Sequence, residues 1–292
     1  MSTAHSGNYY LPKPSAWPII TSAGVFSLAL GFILLMNGIH AGPWLMALGA
    51  AVIVLMMVRW FGQVIGESEG GIYNAQVDRS FRWGMAWFIF SEVMFFAAFF
   101  GALFYIRQFA VQWLGADDLL WPGFDAGWPT AGPKGPVPVP HDIIPGVNQF
   151  SPMGAWGIPA INTLILLSSG VTVTIAHWGL LKDNRAQLIT GLFLTVALGV
   201  TFLTLQAYEY IHAYTELGLT LKTGVYGATF FMLTGFHGFH VTMGTIMLIV
   251  ILARSIAGHF RPDHHFGFEA VAWYWHFVDV VWLFLFIFVY WF

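Results

Sequence analysis

Long apolar stretches separated by short polar or Pro/Gly-rich intervals dominate the chain from Trp17 onward. Seven of them, near 17–39, 43–65, 81–108, 154–181, 186–213, 225–254 and 269–292, are long enough to cross a bilayer, which takes ~20 helical residues. A segment inside lipid must satisfy its backbone hydrogen bonds internally, so each is expected to be helical. The pattern predicts an all-α, polytopic membrane protein of seven transmembrane helices forming one membrane domain over 1–292. Residues 1–16 form an N-terminal tail, 17–65 the first two helices and 81–292 the other five. The third stretch is long and is expected to tilt. The first is longer than the apolar core of a signal peptide and is read as a retained span. Trp17, Trp44, Trp60, Trp83, Trp113, Trp178, Tyr226 and Trp291 fall near segment ends, where amphipathic rings anchor at the interface.

One interval departs from the pattern. Residues 112–153 hold Pro122, Pro129, Pro133, Pro136, Pro138, Pro140, Pro145 and Pro152. So many prolines preclude a helix, and the apolar content is too low for a core. This loop either covers a neighbour or serves as a spacer.

Composition agrees with the pattern. The 292 residues are 58% hydrophobic and 9% charged, against roughly 25% charged in soluble domains. There is no Cys, which removes disulfides, thiolate metal sites and Cys nucleophiles together. The formal net charge of −3 offers no basic surface for nucleic acid. With an odd number of spans, Lys13, Arg59, Arg79, Arg82, Lys182, Arg185, Arg254 and Arg261 share one side, and Arg107, Lys134 and Lys222 the other. The excess predicts a cytoplasmic N-terminus and puts the C-terminus and the 112–153 loop outside.

Titratable groups at membrane depth call for a reason, because a charge there costs on the order of 3 kcal/mol or more. Glu92, in FIFSEVMFF, is about 11 residues into the third segment, near mid-bilayer at ~1.5 Å per residue. Two readings stand: a proton-carrying or gating carboxyl, or a neutral acid hydrogen-bonded to a neighbouring helix or lipid. His237 and His240, in TGFHGFHVTMG, share one helix face. His276 and Asp279 repeat that spacing in WYWHFVDVVW, where the acid is placed to bond the ring and fix its tautomer. Two cross-helix His pairs suit haem or a metal in principle, or simply join packed helices. His177, Glu209 and His212 lie near segment ends and are expected at the interface. The chain has no P-loop, nucleophile elbow, HExxH or dinucleotide glycine pattern.

Four blocks add what spacing does not: SEVMFFAAFFGALFY (91–105), NTLILLSSGVTVTIAHWGLL with KDNRAQ (162–187), GVYGATFFMLTGFHGFHVTMGT (224–245) and HHFGFEAVAWYWHFVDVVWLFLFIFVYWF (264–292). In this order they resemble subunit III of haem–copper cytochrome c oxidases over nearly the whole chain. The related quinol oxidases are the weaker match, since their subunit III usually has five spans. The resemblance implies a 2 + 5 arrangement of helices around a V-shaped cleft that holds phospholipids. It implies no haem or copper in this chain, both being carried by partner subunits, so that His237, His240 and His276 are not expected as haem ligands. It implies packing on the catalytic subunit I, with subunit II in the same complex, and support of proton uptake and of enzyme lifetime. Glu92 matches the family's buried carboxyl, and Trp60, Glu67, Phe88 and Arg254 match positions near lipid tails or head groups. The family's Arg before that Glu and its His-His-Thr run are replaced by Gly66 and Ile72-Tyr73-Asn74-Ala75, which leaves Arg79 and Arg82 as candidate head-group partners. The resemblance is to the bacterial aa3-type enzyme, and a 112–153 loop longer than in the mitochondrial relatives points to a bacterial plasma membrane. The alternative to an oxidase subunit is a free-standing proton channel using Glu92.

Overall fold

A computed structural model describes residues 14–117, 119–121, 124, 126–132 and 150–291. Seven helices among them are long and apolar enough to cross a membrane: α1 (Trp17–Met36), α2 (Gly42–Glu69), α3 (Ala75–Gly115), α4 (Ile158–Leu181), α5 (Arg185–Thr215), α6 (Gly224–Ala257) and α7 (Phe266–Trp291). The described residues contain no β-strand, only an isolated bridge between Arg261 and His264.

Local chemistry explains where the helices begin and end. A proline occupies the first turn of α1, α2 and α4, where its missing N–H leaves nothing unpaired. Asn74 accepts from the Gln76 and Val77 N–H groups, both at 3.0 Å, and so starts α3. Asn184 does the same for α5 through the Gln187 N–H at 3.2 Å. Gly258 ends α6 in the left-handed region, with φ of 90°.

The third helix differs most from expectation. It begins at Ala75, because the Asn74 cap lies upstream of the apolar run. A π-helical turn over Ile106–Ala110 then carries it on through Val111–Gly115. Residues 112–115, expected in the Pro-rich loop, are therefore helical. A second π turn, Phe286–Trp291, ends α7. Pro122, Pro133, Pro136, Pro138, Pro140 and Pro145 of the expected loop lie outside the described residues, as do Lys13 and Lys134. The described flanks of the loop are tied to α6. The Ala131 and Thr130 carbonyls accept from the Val225 and Tyr226 N–H groups at 3.1 and 3.2 Å. Phe150 stacks on Tyr226 with centroids 5.3 Å apart.

The fold divides between Phe81 and Arg82 into two compact units. In the first, α1 and α2 form a tight hairpin. A Cβ on Gly49 would stand 2.7 Å from the Gly24 carbonyl oxygen and 2.7 Å from the Leu28 nitrogen, so the two backbones touch. Most side chains of this hairpin point outward, including Phe26, Trp44 and Leu55.

In the second unit α4 to α7 pack around Trp275 and Trp282, both with 0% exposure. Their indole N–H groups donate across helices, to Ser169 Oγ and Thr163 Oγ1, each at 2.9 Å. Gly244 admits the Trp275 ring: a Cβ there would lie 2.8 Å from it. The perimeter is apolar, with Leu164, Val171, Phe193 and Phe239 all exposed, the expected inversion for a protein whose solvent is hydrocarbon.

Candidate functional site

Among the described residues, five groupings built on acid or imidazole side chains lie between the packed helices of the second unit. At the first, Glu92 on α3 meets His240 on α6, with Glu92 Oε2 2.8 Å from His240 Nε2. His240 Nδ1 lies 2.6 Å from the Phe236 carbonyl oxygen and therefore donates to it. With Nδ1 protonated, one more proton must sit on the Glu92–His240 line. It makes either a carboxylic acid donating to neutral imidazole or an imidazolium donating to carboxylate, and in both cases the pair is neutral overall. Phe96 packs edge-on against the ring at 5.0 Å, and Tyr274 lies nearly parallel to it at 6.3 Å. Glu92 thus has the neighbouring-helix partner that one of its two sequence readings required.

His237, one turn earlier, is buried at 1% exposure between Phe202 and Trp282, with centroids 5.9 and 5.2 Å away. Neither of its ring nitrogens has a hydrogen-bond partner among the described residues. The shared face of His237 and His240 therefore diverges into two environments. On α7, His276 Nδ1 stands 3.6 Å from Asp279 Oδ2, an ion-pair contact too long for the expected hydrogen bond. The ring's Nε2 pairs instead with Thr174 Oγ1 at 3.3 Å.

Glu209 corrects its expected interfacial position. It is 1% exposed and accepts from the Tyr290 hydroxyl at 2.6 Å and from Gln206 Nε2 at 3.4 Å. Its place near the end of α5 says nothing of which face it occupies, and that face turns toward α7. His212 does lie half-exposed, 3.3 Å from Glu216.

The fifth grouping was not assembled from the sequence. At the end of the unit where α4 finishes and α7 starts, His177, His265 and Glu269 bring one ligand atom each within 4.8 Å of the others. Arg82 on α3 bonds the opposite oxygen of Glu269 and lies over the Phe266 ring at 5.4 Å. The HH of HHFGFE was visible in the sequence, but its partner His177 arrives from another helix.

The expected lipid positions are placed as follows. In the first unit, Trp60 is 45% exposed, while Glu67 accepts from the Tyr73 hydroxyl at 2.7 Å and from Gln63 Nε2 at 2.8 Å. In the second, Phe88 is half-exposed and stacks on Tyr274 at 6.2 Å, and the Arg254 guanidinium lies 4.5 Å over the Phe260 ring. Arg82, a candidate head-group partner, is instead committed to Glu269. An apolar groove of about 660 Å³ runs between α3 and α7, bordered by Phe96, Phe100, Phe284 and Phe288, with Arg107 and Gln108 at one end.

Helices apolar on their perimeter, joined inside by paired acid, imidazole, hydroxyl and indole groups, define a multi-pass integral membrane protein. The sequence model described as cytochrome c oxidase subunit III matches residues 7–128 and 141–292. The chain is 42% identical over 292 residues to cytochrome c oxidase subunit 3 of Marchantia polymorpha, covering 100% of this chain and 98% of that one. It is 41% identical to the Drosophila melanogaster protein of the same name, covering 100% and 99%, and 40% identical to that of Papio hamadryas, covering 97% and 96%. The chain belongs to the cytochrome c oxidase subunit III family, and is thereby a subunit of an oxidoreductase complex whose subunits I and II are its partners.

Proposed function

We propose that this chain is the non-redox subunit III of a bacterial aa3-type oxidase, set in the plasma membrane with its N-terminus cytoplasmic. It packs on subunit I, beside subunit II, and leaves haem and copper to those partners. Its work is to keep proton uptake into subunit I fast, to prolong the life of the turning-over enzyme and to hold structural phospholipids. Trp60, Glu67, Phe88 and Arg254 are the proposed lipid contacts. The groove between α3 and α7, apolar along its walls and cationic at Arg107, has the chemistry of an acyl chain beneath a phosphate.

The observation that carries this reading is the Glu92–His240 bond. An acid within a membrane span is used to join two helices, and its partner ring is held by a backbone carbonyl. That arrangement suits a supporting bundle better than a free-standing channel, which would need the carboxyl to face an aqueous path.

The test compares the oxidase complex with and without this chain. Without it, proton uptake should slow and the number of turnovers before inactivation should fall. Unchanged uptake together with unchanged lifetime would overturn the proposal. Proton flux through liposomes holding this chain alone, abolished in Glu92→Gln, would instead favour the channel.

A further inference from the structure

We propose that His177, His265 and Glu269 form a binding site for one divalent transition-metal ion of the Zn²⁺ type, which stands independently of the role assigned to the chain above.

The three residues offer the donor set that Zn²⁺ prefers, two imidazole nitrogens and a carboxylate oxygen. In a tetrahedral zinc site with bonds near 2.0–2.2 Å, ligand atoms stand roughly 3.3–3.6 Å apart. His265 Nε2 is already 3.3 Å from Glu269 Oε1, and His177 Nε2 is 3.9 Å from the same oxygen. One ligand atom from each residue lies within 4.8 Å of the others, so the set is open in this structure and must draw in by up to about 1 Å around a bound ion.

Two further observations point to a ligand rather than to a plain ion pair. The Nε2 atoms of His177 and His265 are both buried without a hydrogen-bond partner among the described residues. The His265 side chain is only 9% exposed. Its 3.3 Å approach to Glu269 lacks the alignment of a hydrogen bond. Two imidazole nitrogens left unsatisfied around one carboxylate oxygen are costly unless something fills the space between them.

The surroundings orient the donors as they do in built metal sites. His265 Nδ1 lies 3.1 Å from the Arg261 carbonyl oxygen and donates to it, so the neutral ring presents its Nε2 lone pair to the cluster. The turn before it is closed by reciprocal backbone bonds between Arg261 and His264, at 3.4 and 3.1 Å. His265 caps α7 and Glu269 sits one turn on, its N–H bonded to the His265 carbonyl at 3.2 Å. Arg82 holds Glu269 Oε2 and leaves Oε1 for the metal. Three protein ligands leave the fourth tetrahedral position for water.

The test is equilibrium dialysis of ⁶⁵Zn²⁺ against the intact oxidase complex, first stripped with EDTA. The wild type should bind one zinc equivalent more than complexes carrying His177→Ala or His265→Ala, or those variants should bind it at least ~10-fold more weakly. His212→Ala, outside the cluster, should bind as the wild type does. Equal zinc in wild type and both cluster variants would overturn the site. Where a variant complex does not assemble, zinc X-ray absorption on the wild-type full-length chain decides. A shell of nitrogen and oxygen with two imidazoles supports the site, and no stoichiometric zinc, or a shell without imidazole, refutes it.

Discussion

Replacing Glu92 with alanine removes the carboxyl and leaves His240 Nε2 facing a void between α3 and α6. The structure sets the size of the effect. The bond is short, at 2.8 Å, and its partners are largely sheltered, with side chains 22% and 9% exposed. Hydrogen bonds between membrane helices contribute about 0.6 kcal/mol on average and reach ~1.7. A buried acceptor left without a donor costs about 1–3 kcal/mol. Glu92→Ala should therefore destabilise the fold by about 1–2 kcal/mol. Glu92→Gln keeps a donor in place, since its amide N–H can reach His240 Nε2, and should cost less than about 0.5 kcal/mol. Reversible unfolding in mixed micelles, followed by tryptophan fluorescence, measures both. A double-mutant cycle with His240→Ala should give a coupling of about 1 kcal/mol. Nitrogen NMR of the labelled ring should show Nδ1 protonated in the wild type and in Glu92→Gln. A Glu92→Ala variant as stable as Glu92→Gln, or a coupling near zero, would refute the claim that this pair joins the helices.

Two further outcomes follow from the packing. Tyr290→Phe removes the 2.6 Å donor to Glu209, which is 1% exposed; it should lower stability by about 1–3 kcal/mol, and Glu209→Leu in the same background should restore part of the loss, read by thermal melting. Gly49→Leu places a side chain where a Cβ alone would already lie 2.7 Å from the Gly24 carbonyl oxygen; the α1–α2 hairpin should open and lose about 1–3 kcal/mol, seen as a longer distance between spin labels on the two helices.

The seven spans were legible because hydrocarbon imposes one rule on every crossing segment, and length and apolarity suffice to satisfy it. The run of α3 to Gly115 was not, because a π turn lets a helix continue through residues whose composition no longer demands it. Glu92 was legible as an anomaly, yet its partner lies 148 residues away, and helical spacing carries no information across that separation. Glu209 was misplaced for a related reason: depth along α5 can be counted, but rotation about its axis is set by what packs there. The cluster of His177, His265 and Glu269 needed two helices, and only the His265–Glu269 spacing on α7 lay within one element.

The α1–α2 hairpin has a consequence for biosynthesis. Gly24 meets Gly49 and Gly31 meets Gly42 across the short connection from Asn37 to Ala41. These glycine contacts join residues close in the chain, and the more distant Trp17–Gln63 hydrogen bond can follow once they form, so little loop entropy opposes closure. Once Glu69 has left the insertion machinery, this pair can lock without waiting for any later segment. The nascent protein therefore offers the quality-control apparatus a finished piece first, and a defect at Gly49 would register during synthesis, ahead of assembly with any other subunit.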